Sequence, residues 1–433
     1  MFMNLNNKLE WLYSLEAKGI KFGLDRIETL ANALGNPHEK FQSIHIAGTN
    51  GKGSVAKMLY TVLRQAGYSV GLYTSPHLVR FNERIVVDDQ EIKDAEIENL
   101  IEKIKPVIEK EKIDASFFEF TTAMAFAYFN EKKVDVAVIE TGMGGRLDAT
   151  NIVKPIINII TRISPEHQQH LGNALEKIAG EKAGIIKPGI PVVTPNNGKP
   201  VEVIERVCRE KGTELVLVME NSEVKLLEGG LDFQRIVVDT SVDSYNIKTR
   251  LIGKHQLENL ATAVIASEVL RKKLNLDKKA IEKGISNTYW AARLEVIKKK
   301  PLVILDGSHN LMGFRSLRLF IEEHIKNKFN KLIVVLGISE DKDKDLMIPL
   351  IADLADEFIL CRADYKGTDT KELKELLTKY KKTKNKKSIL EIKNVENAVK
   401  KAFENSEEGD AILITGSIFV AGEAKQAIQA VIS

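Results

Sequence analysis

Between residues 41 and 65 a short apolar run, FQSIHIAG, enters a glycine-rich turn and leaves it in a segment with helical spacing. Val55, Met58, Leu59, Val62 and Leu63 fall on one face of that helix. A strand, a glycine turn and a helix in direct succession form the opening unit of a sheet whose strands run parallel. Parallel strands need long crossovers, so this order restricts the chain to α/β architectures. The runs VDVAVIE (134–140) and IINIITRI (156–163) have the unbroken apolar character of strands buried on both faces. A further strand is expected at 69–73, with helices at 91–109 and 121–130 and two amphipathic helices in the first 35 residues. From 214 to 251 short strand-like runs with Gly-Gly and Asp turns predict a small, mainly antiparallel subregion. Helices at 255–272 and 278–287 follow.

The 433 residues exceed one ordinary core, so more than one domain is expected. Strand candidates at 302–306, 331–337, 357–361, 388–392 and 410–416 alternate with helical stretches and predict a second, smaller α/β unit. The expected division is 1–297 and 298–433. Lys+Arg 63 against Asp+Glu 60 argues against a dedicated binder of nucleic acid or of a membrane surface. Two cysteines far apart form neither a disulfide framework nor a zinc spacing. The N-terminal segment lacks the pattern of a signal peptide, and no apolar run is long enough to span a bilayer. A cytoplasmic protein is the expectation. No long exposed apolar stripe stands out, so a monomer is expected.

The turn itself, Ala47-Gly48-Thr49-Asn50-Gly51-Lys52-Gly53-Ser54, has the makings of a phosphate cradle. Its glycines bring backbone N–H groups close to an anion, and the helix that follows adds its positive end. Lys52 can place a charge on the β- and γ-phosphates, and Ser54 can ligate Mg²⁺. Gly53 intervenes where the common phosphate-loop pattern has Ser or Thr directly after Lys. Glu140 sits at the carboxyl end of a buried strand, where α/β proteins place ligands, and can hold Mg²⁺. After it, 141–151 (TGMGGRLDATN) offers three glycines, Arg146 to grip an anion and Asp148 to accept hydrogen bonds from a ring nitrogen. His167 lies beyond another buried strand and is favoured as a magnesium-site residue, whereas His170 is left structural. Lys182 falls in a helix, and a buried lysine with a lowered pKa can take up CO₂.

Seven blocks in order resemble the folylpolyglutamate synthase/dihydrofolate synthase family of the Mur ligase superfamily. They are HIAGTNGKGSVA (45–56), TSPHLVRFNERI (74–85), FFEFTTAMAF (117–126), ETGMGGRLDATNIV (140–153), LGNALEKIAGEKAGIIK (171–187), GKHQLENLATA (253–263) and LDGSHNLMG (305–313). The resemblance implies a P-loop-type, mainly parallel sheet domain with a small antiparallel subregion, followed by a smaller Rossmann-like α/β domain. It implies an ATP-dependent ligase that passes the γ-phosphate to a carboxylate of dihydropteroate or folate. The amine of L-glutamate then attacks the acyl phosphate. It also implies Mg²⁺ at two sites, and allows K⁺.

By position, Asn50, Gly51, Lys52, Gly53 and Ser54 would hold phosphates, and Asn259, Arg293, Asp306 and His309 would contact the nucleotide. Ser54, Ser75, Glu140, His167 and Lys182 would serve the metal, Lys182 as a carbamate. Lys52, Lys182 and His167 would be catalytic. Phe117, Phe118, Glu119, Arg146, Leu147, Asp148 and Ala149 would receive the substrate.

Three positions depart from the family pattern: Glu166 before His167 where Asp is usual, Ala292 before Arg293 where Gly is usual, and Ser308 where Ala is commoner. The readings set against this one are another Mur-type amide ligase, a phosphate-loop ATPase or kinase with a regulatory second domain, and a nucleotide-binding module without chemistry.

Overall fold

The computed structural model describes residues 5–19, 21–165, 175–380 and 388–432. They divide into two compact units. The first comprises residues 1–225, 237–247 and 258–288, and the second 226–236, 248–257 and 289–433.

The first unit is built on an eight-stranded sheet. Its strands are β1 (Gln42–Ala47), β2 (Val70–Tyr73), β3 (Ile85–Val87), β4 (Gln90–Glu91), β5 (Val136–Glu140), β6 (Ile157–Ile160), β7 (Val192–Thr194) and β8 (Leu215–Leu217), in the order β4-β3-β2-β5-β1-β6-β7-β8. β2, β5, β1, β6, β7 and β8 run parallel, and the β3–β4 hairpin adds an antiparallel edge. The expected parallel sheet is present. The sequence reading did not include the hairpin, whose strands are too short for a clear alternation.

β1 lies between β5 and β6, in register at Ile46↔Glu140 and Ala47↔Ile160. The carboxyl ends of three neighbouring strands therefore open side by side. The helix Lys52–Gln65 follows β1 with the expected limits. It lies against the helix Lys278–Ser286 so closely that a Cβ on Gly284 would stand 2.4 Å from Val62 Cα. The helix Phe117–Lys132 is buried around nearly its whole circumference, in a cluster that also takes in Leu30, Ile97, Leu100, Ile104, Tyr73 and Ile139. Such a helix is apolar all round and not amphipathic. It begins four residues before the expected start of 121, because Ser116 and Glu119 form a capping box at its N-terminus.

The subregion expected over 214–251 starts later. Residues 215–217 are β8 and pair in parallel with β7, because their apolar side chains complete the main sheet. The small sheet is β9 (Ser222–Gly229), β10 (Gln234–Thr240) and β11 (Ser244–Thr249), in the order β11-β10-β9. The connections are too short for a parallel crossover, so these strands are antiparallel.

The second unit carries a six-stranded sheet of β12 (Glu295–Lys299), β13 (Leu302–Leu305), β14 (Leu332–Leu336), β15 (Glu357–Leu360), β16 (Ser388–Glu391) and β17 (Ala411–Thr415). Its order is β12-β13-β17-β14-β15-β16, parallel except for β12. Phe314, Leu317, Phe320, Phe358 and Leu373 fill its core. Among the described residues no helix is long and apolar enough to cross a membrane.

Candidate functional site

The turn after β1 is pinned from below by the segment after β6. Thr49 N and Asn50 N donate to Arg162 O at 3.0 and 3.1 Å, and Asn50 Nδ2 donates to Ser164 Oγ at 3.0 Å. Thr49 Oγ1 donates to Ser164 O at 3.1 Å. Two glycines cannot be replaced without moving a neighbour. Gly48 has φ +152° and a Cβ there would stand 1.8 Å from Thr161 Oγ1. Gly51 has φ +89° and a Cβ there would stand 2.2 Å from Asn259 Oδ1. Both lie in backbone regions that L side chains rarely adopt. Gly51 precedes the first residue of the Lys52–Gln65 helix, so the turn delivers the chain into the helix's positive end.

Two lysines converge on this turn. Lys52 Nζ lies 3.2 Å from Gly48 O and 3.4 Å from Thr49 O, and 3.8 Å from Glu140 Oε1. Lys182 Nζ donates to the same Gly48 O at 2.7 Å, although Lys182 is only 3% exposed. Glu140 ends β5 and is itself buried, and Ser75 N lies 3.4 Å from its Oε2. Ser54 is buried in the first turn of the helix. The structure therefore brings Asn50, Gly51, Lys52, Gly53, Ser54, Ser75, Glu140, Lys182 and Asn259 into one region of the first unit. Glu166 and His167 lie outside the described residues.

These donors suit a hard cation. One carboxylate and hydroxyl oxygens, completed by substrate phosphates and water, are what Mg²⁺ takes, and it does not need a protein-only cage. The described residues hold no cluster of three His, Cys, Asp or Glu.

Beside this region, residues 141–152 form a loop with its own framework. A Cβ on Gly142 would stand 2.5 Å from the Phe118 ring, so the loop lies directly on the start of the Phe117–Lys132 helix. Phe118 stacks on Tyr73, with centroids 6.0 Å apart. Phe117 stacks on Tyr13 at 5.7 Å, with the Arg84 guanidinium 5.2 Å from its ring centroid. Arg84 Nε also lies 2.8 Å from His77 Nδ1. Burial, with the Arg84 charge adding to it, pushes the imidazole down to about 4, so His77 is neutral at neutral pH.

Three of the residues expected to meet substrate have partners inside the chain. Glu119 Oε2 accepts from Ser116 N at 2.7 Å, and its Oε1 accepts from Arg26 Nε at 2.9 Å. Its spacing from Ser116 is the capping-box signature, a signal legible in SFFE. Arg146 is half exposed and donates twice to Glu181 Oε1, at 3.1 and 2.9 Å. Asp148 Oδ1 accepts from Thr150 N at 3.0 Å and Thr150 Oγ1 at 2.6 Å, and its Oδ2 accepts from Met143 N at 2.8 Å. Burial raises the Asp148 carboxyl, and those hydrogen bonds oppose the rise. Leu147 and Ala149 flank it on the same loop.

In the second unit, Arg293 sits between Ala292 (φ 54°) and Leu294 (φ 50°), two non-glycine residues in the left-handed region. Asp306 ties this segment down, its Oδ2 accepting from Leu294 N at 3.1 Å and its Oδ1 from Ser308 N at 2.9 Å. His309 Nδ1 lies 2.9 Å from Gly307 O. Half-buried His255, which the sequence reading did not single out, is held below the usual histidine range by desolvation, with Asp306 and Arg293 acting in opposite directions.

A phosphate turn on a parallel sheet, followed by a second α/β unit carrying an Asp-Gly-Ser-His-Asn turn, defines a Mur-type ligase. The Mur ligase middle domain matches residues 46–267, and the Mur ligase glutamate ligase domain matches residues 292–418. A dihydrofolate synthase/folylpolyglutamate synthase of Bacillus subtilis is 37% identical over 82% of this chain and 84% of its own length. Escherichia coli FolC in complex with DHPP and ADP superposes with a TM-score of 0.88 at 28% identity, covering 98% of both chains. The folylpolyglutamate synthase of Thermotoga maritima gives 0.85 at 33% identity, covering 98% of this chain and 97% of its own. The chain belongs to the dihydrofolate synthase/folylpolyglutamate synthase family of Mur ligases, and with it to the ATP-dependent ligases.

Proposed function

We propose that the chain uses ATP to activate the carboxylate of dihydropteroate, or of the terminal glutamate of a folate, and joins it to the amine of L-glutamate. The carrying observation is the pairing of two lysines and one buried carboxylate around the turn after β1. That arrangement suits the γ-phosphate of ATP and a divalent ion better than it suits a plain strand-to-helix turn. Ser54, Ser75 and Glu140 would hold Mg²⁺, which supplies charge neutralisation at the phosphates. Lys52 adds a fixed cation there, aimed at charge that grows as the phosphoryl group moves to the carboxylate. Asn259 is assigned to the nucleotide by its contact position against Gly51, and Arg293, Asp306 and His309 are assigned to it by resemblance.

Lys182 is read as a carbamate. An ammonium this deeply buried is costly, and addition of CO₂ with loss of a proton converts it to a carboxylate able to help bind a second cation. The aromatic surfaces of Phe117 and Phe118, with 147–149, receive the pterin ring. The unit of action is a monomer in this reading, since its exposed large apolar side chains, such as Phe22, Met219, Leu319 and Leu346, are scattered along the chain.

The test is ADP release from the purified chain with ATP and Mg²⁺, with and without L-glutamate and with either dihydropteroate or tetrahydrofolate. Release that depends on all three substrates, with a product heavier by one glutamate residue, is expected. Equal release with ATP alone contradicts the ligase reading.

A further inference from the structure

The segment 160–164, which begins at the last residue of β6, is hydrogen-bonded on both sides. Toward the phosphate turn it presents Arg162 O, which accepts from Thr49 N at 3.0 Å and from Asn50 N at 3.1 Å. Ser164 O and Oγ accept from the Thr49 hydroxyl and the Asn50 carboxamide. These bonds can place the turn only if the segment is itself placed. Past Ile160 and Thr194 the strands β6 and β7 have ended, so the backbone groups of 160–163 need other partners in the interior.

Asn196, two residues past β7 and only 4% exposed, supplies them. Its Oδ1 accepts from Ile163 N at 2.8 Å. Its Nδ2 lies 2.8 Å from Thr194 Oγ1, 2.9 Å from Thr161 O and 3.2 Å from Ile160 O. A carboxamide has one acceptor oxygen and two amide protons. The Ile163 amide fixes which end is the oxygen, and the two protons go to the nearer acceptors, Thr194 Oγ1 and Thr161 O. The residues on either side of Arg162 are thus held by one side chain. The Arg162 side chain is held separately. Its Nε donates to Glu258 Oε1 at 3.0 Å, its Nη2 to Glu258 Oε2, and its Nη1 to Asn197 Oδ1 at 3.3 Å.

We propose that Asn196 is a positioning residue of the phosphate turn. Acting through Thr161 O and Ile163 N, it fixes Arg162 O and with it the Thr49 and Asn50 amides. This rests on the reading that the turn cradles the phosphates of ATP. Among the described residues Asn196 makes no hydrogen bond to the turn itself, so its effect passes through the one segment. Its physical sense is preorganisation: groups held before the anion arrives need not be ordered by it. A buried carboxamide whose donors and acceptor are all engaged is a stiff support for that purpose.

The experiment compares two variants of the full-length chain, Asn196→Ala and Thr194→Val. Thr194 is fully buried in the same network, but its hydroxyl donates to Ile160 O, inside β6, at 2.7 Å. In Thr194→Val the amide proton that is released turns to Ile160 O, so Asn196 keeps its hold on 161 and 163. Both variants lower the denaturant midpoint. Only Asn196→Ala raises the Kd for MgADP, by about tenfold, the loss of roughly one buried hydrogen bond carried to the turn. Its KM for ATP rises by a similar factor, while the KM values for L-glutamate and for the pteroate or folate substrate stay within about twofold.

MgADP binding by Asn196→Ala equal to the parent's overturns the proposal, because the turn is then placed without Asn196. Equal weakening in the two variants overturns it as well, because any loss beside β6 then reaches the turn. A parent chain that binds no MgADP instead removes the reading of the turn as a phosphate cradle, so the two failures are distinct. Should Asn196→Ala not fold, Asn196→Ser, which keeps a small hydroxyl in the site, is read against Thr194→Val in the same way.

Discussion

The phosphate turn and the loop 141–152 are both glycine-rich, both follow a buried parallel strand, and both lie in the first unit. They are held by different mixtures of the same means. The phosphate turn is bonded to Arg162 and Ser164 and adds close approach, with Gly48 and Gly51 in backbone regions that side chains resist, against Thr161 and Asn259. The loop 141–152 is fixed by a side chain it has, the buried Asp148 carboxylate that gathers its own amides. A turn made by close approach should fail abruptly when a methyl group is added. A loop made by hydrogen bonds should weaken in steps.

The largest effect is expected where the phosphate turn meets Lys182. Lys182→Ala should lose nearly all ligase activity, and short carboxylic acids such as acetate should return part of it by replacing the lost carbamate. Parent-like activity of the variant, measured by ADP release, removes the carbamate from the account.

Next comes Gly51→Ala. The added methyl would stand 2.2 Å from Asn259 Oδ1 at a φ of +89°, so the Asn259 side chain must give way and the turn is strained. A displacement of that order costs about 100-fold in kcat/KM for ATP. A loss of only severalfold would mean that the turn is as yielding as its neighbour, and the contrast would collapse.

The smallest effect is on stability. Burial, with Lys187 adding to it, pushes His45 down to about 3. The unfolded chain takes up that proton near the ordinary histidine value of about 6.5. The contribution is therefore complete above about pH 6.5 and is lost as pH falls toward 3, by up to about 1.4 kcal/mol per pH unit for one proton. In denaturant titrations between pH 7 and 5, His45→Gln should show a shallower fall in stability than the parent. Equal slopes would place the acid sensitivity elsewhere.

Much of the first unit was legible because its signals are local. Glycines, a strand and a helical period within 41–65 are enough to set the limits of the Lys52–Gln65 helix. The apolar run ending at Glu140 likewise places that carboxylate at a strand end without any knowledge of its neighbours. Glu119 carries two local signals, its resemblance to a substrate-facing position and the capping box with Ser116, and the second is seen in the structure. Arg146 and Asp148 were harder. Arg146 finds Glu181 and Thr150 finds His45 only after crossovers of 35 and 105 residues have folded. No spacing rule reaches across them.

The sequence by itself determined the order of elements, the α/β class, the phosphate turn and the identity of its charged groups, because each rests on residues close together in the chain. The tertiary structure alone decided which polar side chains find partners inside the protein. That choice depends on which strands become neighbours and which donors they bring within about 3 Å of a given oxygen. β1 lies between β5 and β6, so two lysines distant in sequence share Gly48 O. The same placement lets a histidine on β1 reach, through Thr150, the carboxylate of Asp148.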